Sequence, residues 1–196
     1  MIEHRKVLLI GGTSHLGKST FAKRLASQLG WKYLSTDQLA RHPGRPWRED
    51  GSPLPVDVVA HYTELSTDAL ADSVLQHYRQ NVWPIADALI RSHLHNPYDP
   101  CLVFEGSAIL PDEVRAAAFD GVGAVWLTAP EDLIANRIRQ SSGYEGRSSA
   151  EKQLIDAFLR RSLYINRALT HSVSANGQKS LDAGSAEAFA ELAAMR

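Results

Sequence analysis

The residues best suited to chemistry lie near the amino end of the chain. Gly12-Thr13-Ser14-His15-Leu16-Gly17-Lys18-Ser19-Thr20 contains the pattern G-x-x-x-x-G-K-S, which cradles a polyphosphate. Successive N–H groups of such a loop form a concave anion site, and the helix that follows adds the positive end of its dipole. Gly12 and Gly17 supply the backbone freedom for the turn. Lys18 is the expected partner of the β- and γ-phosphates of ATP, and the Ser19 hydroxyl an expected ligand of Mg2+. The motif specifies a nucleoside triphosphate and is silent on what receives the phosphoryl group.

Two carboxylates are candidates to complete that chemistry. Asp37 follows Trp31-Lys32-Tyr33-Leu34-Ser35, and Glu105 closes Cys101-Leu102-Val103-Phe104. At the carboxyl end of a strand, Asp37 either orients or deprotonates an acceptor hydroxyl, or caps the helix starting near Gln38. Glu105 is placed to support Mg2+ through water or to polarise the acceptor. Arginine outnumbers lysine, 15 to 6, and six of the arginines fall between 137 and 167. Arg137, Arg139 and Arg147 bracket a polar segment with Gly143 and Gly146, while Arg160, Arg161 and Arg167 follow on the next helix. Cations over a moving phosphoryl group and a flap that excludes water are what phosphoryl transfer requires; a solvated helical hairpin is the alternative. Arg41, Arg45 and Arg48 lie in a stretch, 41–55, with four prolines and two glycines. They either grip a carboxylate or phosphate as part of an acceptor flap, or are incidental charges of a loop. Trp47 in the same stretch argues for order.

These residues need elements to position them. Lys6 to Ile10 is an apolar run with β-branched members, hence a buried strand. Phe21, Ala22, Leu25, Ala26 and Leu29 repeat at helical spacing, and Gly30 stops that helix. Strands are expected at 31–35, 101–104 and 123–127, with a weak edge strand at 177–182. Residues 57–96 read as two or three helices, broken or kinked at Pro84, with Ser66 or Thr67 capping the second. Thr128 is the expected cap of the helix beginning near Glu131, and a further helix runs from about Ala150 to Thr170. A last helix turns Phe189, Leu192 and Ala193 inward. Strands alternating with helical segments give an α/β fold with a parallel sheet, whose ligands lie beyond the carboxyl ends of the strands.

The bulk properties exclude other classes. The chain has 196 residues, 44% of them hydrophobic, and a net charge of −1. Such a length and composition suit one domain with its own core. No basic run points to nucleic acid, and no apolar run has the length of a membrane span. A single cysteine, Cys101, rules out an internal disulfide and reads as a small buried hydrophobe. With no signal-peptide pattern at the start, the cytoplasm is the expected compartment.

In the order of its parts the chain resembles, over nearly its whole length, the small P-loop kinases of the nucleoside-monophosphate-kinase and shikimate-kinase type. Ser35-Thr36-Asp37 also resembles the second-strand end of 2-phosphoglycerate-kinase-like proteins. The resemblance implies a three-layer α/β/α P-loop kinase fold with a five-stranded parallel sheet. It further implies a helical acceptor-binding insertion at 38–96 and an arginine-rich lid at 137–160. It implies ATP on Gly12 to Thr20, Arg137 over the adenine and Arg147 as the lid arginine. Arg160 of Arg160-Arg161-Ser162-Leu163-Tyr164, similar to an R-x-x-L-Y element, would hold an acidic acceptor. Two departures point away from shikimate: one aspartate at the second-strand end instead of two, and Glu105-Gly106-Ser107 in place of a glycine-rich third-strand end.

The function expected is ATP-dependent phosphotransfer to a hydroxyl of a small, anionic metabolite. Lys18, Asp37 and Arg147 are the expected catalytic residues, Asp37, Arg41, Arg45 and Arg160 the acceptor-binding ones, and Ser19 and Glu105 those that serve Mg2+. A nucleoside or nucleotide kinase is the alternative, with Trp47, Tyr62 or Trp83 stacking on a base. A non-catalytic nucleotide switch is a third, although no N-K-x-D pattern is present.

Overall fold

A computed structural model describes residues 5–40, 44–185 and 190. Five strands form one sheet: β1 (Val7–Gly11), β2 (Lys32–Ser35), β3 (Leu102–Glu105), β4 (Val122–Thr128) and β5 (Ser180–Asp182). Their order is β2-β3-β1-β4-β5, and every pairing is parallel. The order reverses direction between β1 and its two neighbours, which opens a crevice at the carboxyl end of β1. Register places Ile10 beside Glu105 and Ser35 beside Glu105, so the ends of β1, β2 and β3 meet at that crevice.

The period of two along the strands assigns the faces. Leu8, Ile10, Val103, Val125, Leu127 and Leu181 share a core with α1 (Lys18–Leu29) and α6 (Glu131–Ser142). Val7, Leu9, Leu102, Phe104 and Trp126 point the other way, onto α4 (Trp83–His95). The Trp126 indole N–H donates to the Ile109 carbonyl at 2.9 Å. This packing leaves no room at Gly11, where an added Cβ would lie 2.4 Å from the indole and 2.7 Å from the Ile109 oxygen.

Between β2 and β3 lie a short 3-10 turn (Thr36–Gln38), α2 (Val56–Glu64), α3 (Thr67–His77), a widened π turn (Tyr78–Val82) and α4. The Ser66 side chain caps α3, as its position suggested, accepting from the Ala69 N–H. The interruption between α3 and α4 is the π turn at Tyr78–Val82, which just precedes Pro84, the residue expected to break or kink this helical run. Cys101 is half-buried and just precedes β3. Beyond α5 (Pro111–Ala117), Thr128 departs from the expected role. It is the last residue of β4, its hydroxyl donating to the Leu181 carbonyl, because pairing with β5 prolongs the strand; α6 begins at Glu131 with no side-chain cap.

The last long helix, α7 (Ser149–Ala175), exceeds its expected length at the carboxyl end and ties down more of the fold. Its start is a reciprocal capping box: Ser148 accepts from the Glu151 N–H, and Glu151 accepts from the Ser148 N–H. Leu154 and Phe158 join the core under α6, Ile165 and Leu169 pack on α3, and Val173 reaches the core of the opposite face. It therefore crosses the sheet's carboxyl edge and lies along the crevice. The expected inward-facing residues of the last helix, Phe189 and Leu192 among them, lie outside the described residues. Among the described residues no helix is long and apolar enough to cross a membrane.

Gly11→Ala is expected to destabilise the protein by about 1–3 kcal/mol through overpacking against Trp126, read as a lower urea midpoint with an unchanged m-value.

Candidate active site

The loop between β1 and α1 has the backbone of an anion nest. Gly12, His15 and Gly17 all have positive φ, at 131°, 63° and 80°. At Gly12 a side chain is excluded outright, since a Cβ would lie 2.6 Å from the Leu127 carbonyl oxygen. Leu16 anchors the loop in the core, and Thr13 Oγ1 donates to the Ser162 carbonyl of α7 at 3.4 Å. Ser14, His15, Gly17, Lys18, Ser19 and Thr20 line a cavity of about 700 Å3 at the crevice.

Lys18 is buried, yet its Nζ faces this cavity and donates to the Thr13 carbonyl of its own loop at 2.7 Å. Burial lowers its pKa, while the nearby Glu105 and Asp37 carboxylates counteract that by favouring the cation. The buried Glu105 accepts from Ser19 Oγ at 3.0 Å and from Tyr33 Oη at 2.8 Å. Burial, then the bond to Glu105, pushes the Tyr33 phenol up to about 12. Hydroxyl and carboxylate oxygens held side by side at a phosphate loop suit a hard cation such as Mg2+, which takes few protein ligands and keeps waters. Asp37 faces the cavity from the 3-10 turn. The capping role falls instead to Ser35, whose Oγ accepts from the Asp37 N–H at 3.3 Å.

The arginines divide. Arg45 lines the cavity, and Arg137 donates to the His15 carbonyl at 3.3 Å and to the Ala183 carbonyl at 3.5 Å, beside the phosphate loop. Arg147 lines no part of it. It donates to the Ser142 carbonyl (2.8 Å), to Glu151 (3.0 Å) and to the Arg48 carbonyl (3.1 Å), fastening the α6–α7 connection to residues 44–55. Arg160 is exposed on α7 and also off the cavity. Arg41 lies outside the described residues. The arginine that does enter is Arg161, 5% exposed, stacked 4.4 Å over the Phe158 ring. Its Nη1 donates to Tyr62 Oη at 2.8 Å, and its Nε is buried with no hydrogen-bond partner. Among the described residues Arg161 forms no ion pair, so a buried guanidinium faces the cavity without a counter-charge. Sequence reading favoured Arg160, yet the signal was available: Leu154, Phe158, Arg161 and Ile165 fall on one helical stripe, and Arg160 is about 100° off it. Of the aromatics expected to stack on a base, Trp47, Tyr62 and Trp83, none lines the cavity. Trp83 packs in the core beside Phe119.

No protein-family model matches the chain, and no curated protein matches it by sequence. Solved structures do match. A gluconokinase from Sinorhizobium meliloti 1021 superposes with a TM-score of 0.51 at 18% identity, covering 98% of this chain and 89% of that one. The shikimate kinase of Aquifex aeolicus gives 0.51 at 13% identity over 96% and 95%, and that of Bacteroides thetaiotaomicron 0.50 at 12% over 96% and 94%. The chain thus shares the fold of these small P-loop kinases, and its sheet is five-stranded and parallel with a phosphate loop after the first strand.

The His15 side chain adds a pH dependence. Burial, followed by the charges of Arg45, Lys18, Arg161 and Arg137, pulls its pKa from 6.5 down to about 4. The unfolded chain therefore takes up the proton first, so stability present above pH 6.5 is lost as pH falls toward 4. Urea midpoints measured at pH 7.5 and pH 5 should fall further in the wild type than in His15→Asn.

Proposed function

We propose that the protein is an ATP-dependent phosphotransferase that moves the γ-phosphoryl group to a hydroxyl of a small anionic metabolite. The observation that carries this reading is the meeting, in one cavity, of the phosphate loop with Lys18, the Asp37 carboxylate and the uncompensated Arg161 guanidinium. In this reading the loop N–H groups hold the phosphates, and Lys18 Nζ exchanges the Thr13 carbonyl for β- and γ-oxygens. Directly or through water, Ser19 and Glu105 would hold Mg2+, which would supply charge neutralisation on the phosphates. Asp37 orients the acceptor hydroxyl and accepts its proton as the acceptor oxygen bonds to the γ-phosphorus and the bond from that phosphorus to the ADP oxygen breaks, ADP being the leaving group.

Arg161 holds the acidic group of the acceptor, with Arg45 at the cavity mouth. A desolvated cation is costly to keep unpaired, and a carboxylate or phosphate arriving in the cavity relieves that cost. Arg147 acts in this scheme as a strap that holds the α6–α7 connection to residues 44–55. Catalysis is then positioning plus electrostatics, as phosphoryl transfer demands.

The test is ADP release with Mg·ATP against a panel of sugar acids, hydroxy acids, neutral sugars, aminoglycosides and nucleosides. Turnover is expected with the acids, and turnover with nucleosides alone would overturn the reading. Lys18→Ala should lower kcat/KM by about 10²–10³, the scale for losing one preorganised donor to a transition-state charge. Asp37→Asn should cost about 10²–10⁴ in kcat, the range for a lost general base.

Arg161→Met separates binding from folding. It removes a buried unpaired charge, so the ligand-free protein should be at least as stable as the wild type in a thermal melt. The acceptor KM should nevertheless rise about 30-fold or more, the cost of breaking a buried charge-assisted contact. A destabilised variant with unchanged KM would make Arg161 a structural residue.

A further inference from the structure

Residues 44–55 contain no helix or strand, yet Trp47 within them is only 7% exposed. Two rings hold it, Phe158 of α7 and His15 of the phosphate loop. The Trp47 ring lies 5.7 Å from the His15 ring and 5.0 Å from the Phe158 ring, and His15 meets Phe158 edge-on at 5.7 Å. His15 is fixed from a third side, its Nε2 2.9 Å from Ser141 Oγ on α6. The Ser141 hydroxyl proton is directed at the Ile138 carbonyl, so its oxygen accepts the Nε2 proton of a neutral ring. His15 Nδ1 is then a buried lone pair with no hydrogen-bond partner. The backbone at His15 is left-handed, a conformation that glycine adopts freely and most side chains resist. The ring is therefore present in spite of the loop's geometry.

Every element around this ring brings a cation toward it: Lys18 from α1, Arg45 from residues 44–55, Arg137 from α6 and Arg161 from α7. The nearest carboxylates across the cavity, Glu105 and Asp37, act on Lys18. With no polyanion in the loop the four cations repel one another, and the repulsion falls on Arg45, which the covering segment carries. Against it stand the Trp47 contact, the bond from Tyr62 Oη to the Gly44 carbonyl (2.5 Å) and the strap from Arg147 to the Arg48 carbonyl.

We propose that His15 is a positioning residue that couples occupancy of the phosphate loop to the seating of residues 44–55 over the acceptor cavity. A polyanion in the loop neutralises the cations and so strengthens the Trp47–His15 contact already formed in the structure. By reciprocity the seated segment retains the nucleotide. The device keeps water from the phosphoryl donor once both ligands are in place. It rests on the phosphotransfer reading above.

Limited trypsin digestion tests it, because Arg48 is exposed and the Arg48–Glu49 bond is cleavable. Mg2+ with the β,γ-imido analogue of ATP, at saturation, should slow cleavage of that bond about tenfold in the wild type, within the usual span of site-to-site coupling. His15→Gly and His15→Asn both suit a positive φ and lack the ring; each should reduce the slowing to about twofold or less. Trp47→Leu should do the same, and combining it with His15→Gly should add nothing further. A mere loss of stability would speed cleavage with and without nucleotide alike and leave the ratio intact. An unchanged ratio in the His15 variants, or additive losses in the double variant, would overturn the proposal. Calorimetry on the wild type separates the two levels. Binding of the analogue without slower cleavage defeats the coupling alone, whereas no binding defeats the phosphotransfer reading and the coupling with it.

Discussion

Positive charge gathered at one crevice, two of its cations buried, is the constraint around which this protein is arranged. Lys18 and Arg161 are both buried, and Arg45 and Arg137 lie close enough to act on the same imidazole. Glu105 and Asp37 offset part of that charge at Lys18, whereas Arg161, among the described residues, forms no ion pair and lies against the Tyr62 hydroxyl and two aromatic faces. Aromatic faces stabilise a guanidinium modestly, and a neutral hydroxyl does so less than a carboxylate. In the proposed function a ligand completes the balance, so the shape of the site and the charge of what enters it belong together.

The fold supplies this crevice with rigid walls. Parallel pairing brings the ends of β1, β2 and β3 into register, which fixes Glu105 beside Ser19 and presents Asp37 one short turn further on. From the other side α7 runs along the sheet edge, sending Phe158 and Arg161 inward and receiving the Thr13 hydroxyl on the Ser162 carbonyl. The phosphate loop is therefore gripped by the same helix that carries the buried arginine. The connection between α6 and α7 is compact: Gly143 ends one helix in the left-handed conformation, Tyr144 Oη donates to Asp156, and Ser148 and Glu151 start the next.

Much of this could be read from the sequence, and the reasons for success and failure are physical. The strands, the phosphate loop and the two strand-end carboxylates depend on local patterns: short apolar runs, glycines at required turns and a single acid after each run. Those patterns survive folding because backbone pairing uses them directly. Arg161 was missed because a motif drew attention to Arg160, although helical phase alone distinguishes the two. Arg147 carries a charge suited to phosphate, yet it is engaged by Glu151 and two carbonyls, contacts no spacing rule reveals. The Trp47–His15 contact joins residues from two loops, where periodicity is silent. Tyr33, beneath Glu105, looked like one more aromatic in a strand.

The widened turn at Tyr78–Val82 joins two helices with different obligations. Upstream, α3 presents Ala71 and Val74 to Ile165 and Leu169 of α7; downstream, α4 presents Trp83, Ala86 and Ile90 to the sheet. The Trp83 N–H reaches back to the Tyr78 carbonyl, one residue further than in a regular helix. That surplus residue resets the phase by about 100°, so each half keeps its own partner while His77, Tyr78 and Val82 turn toward the cavity. Excising a single position there would swing one helix out of step with the other, which makes the cavity wall and the roof of the sheet two gears on a common shaft.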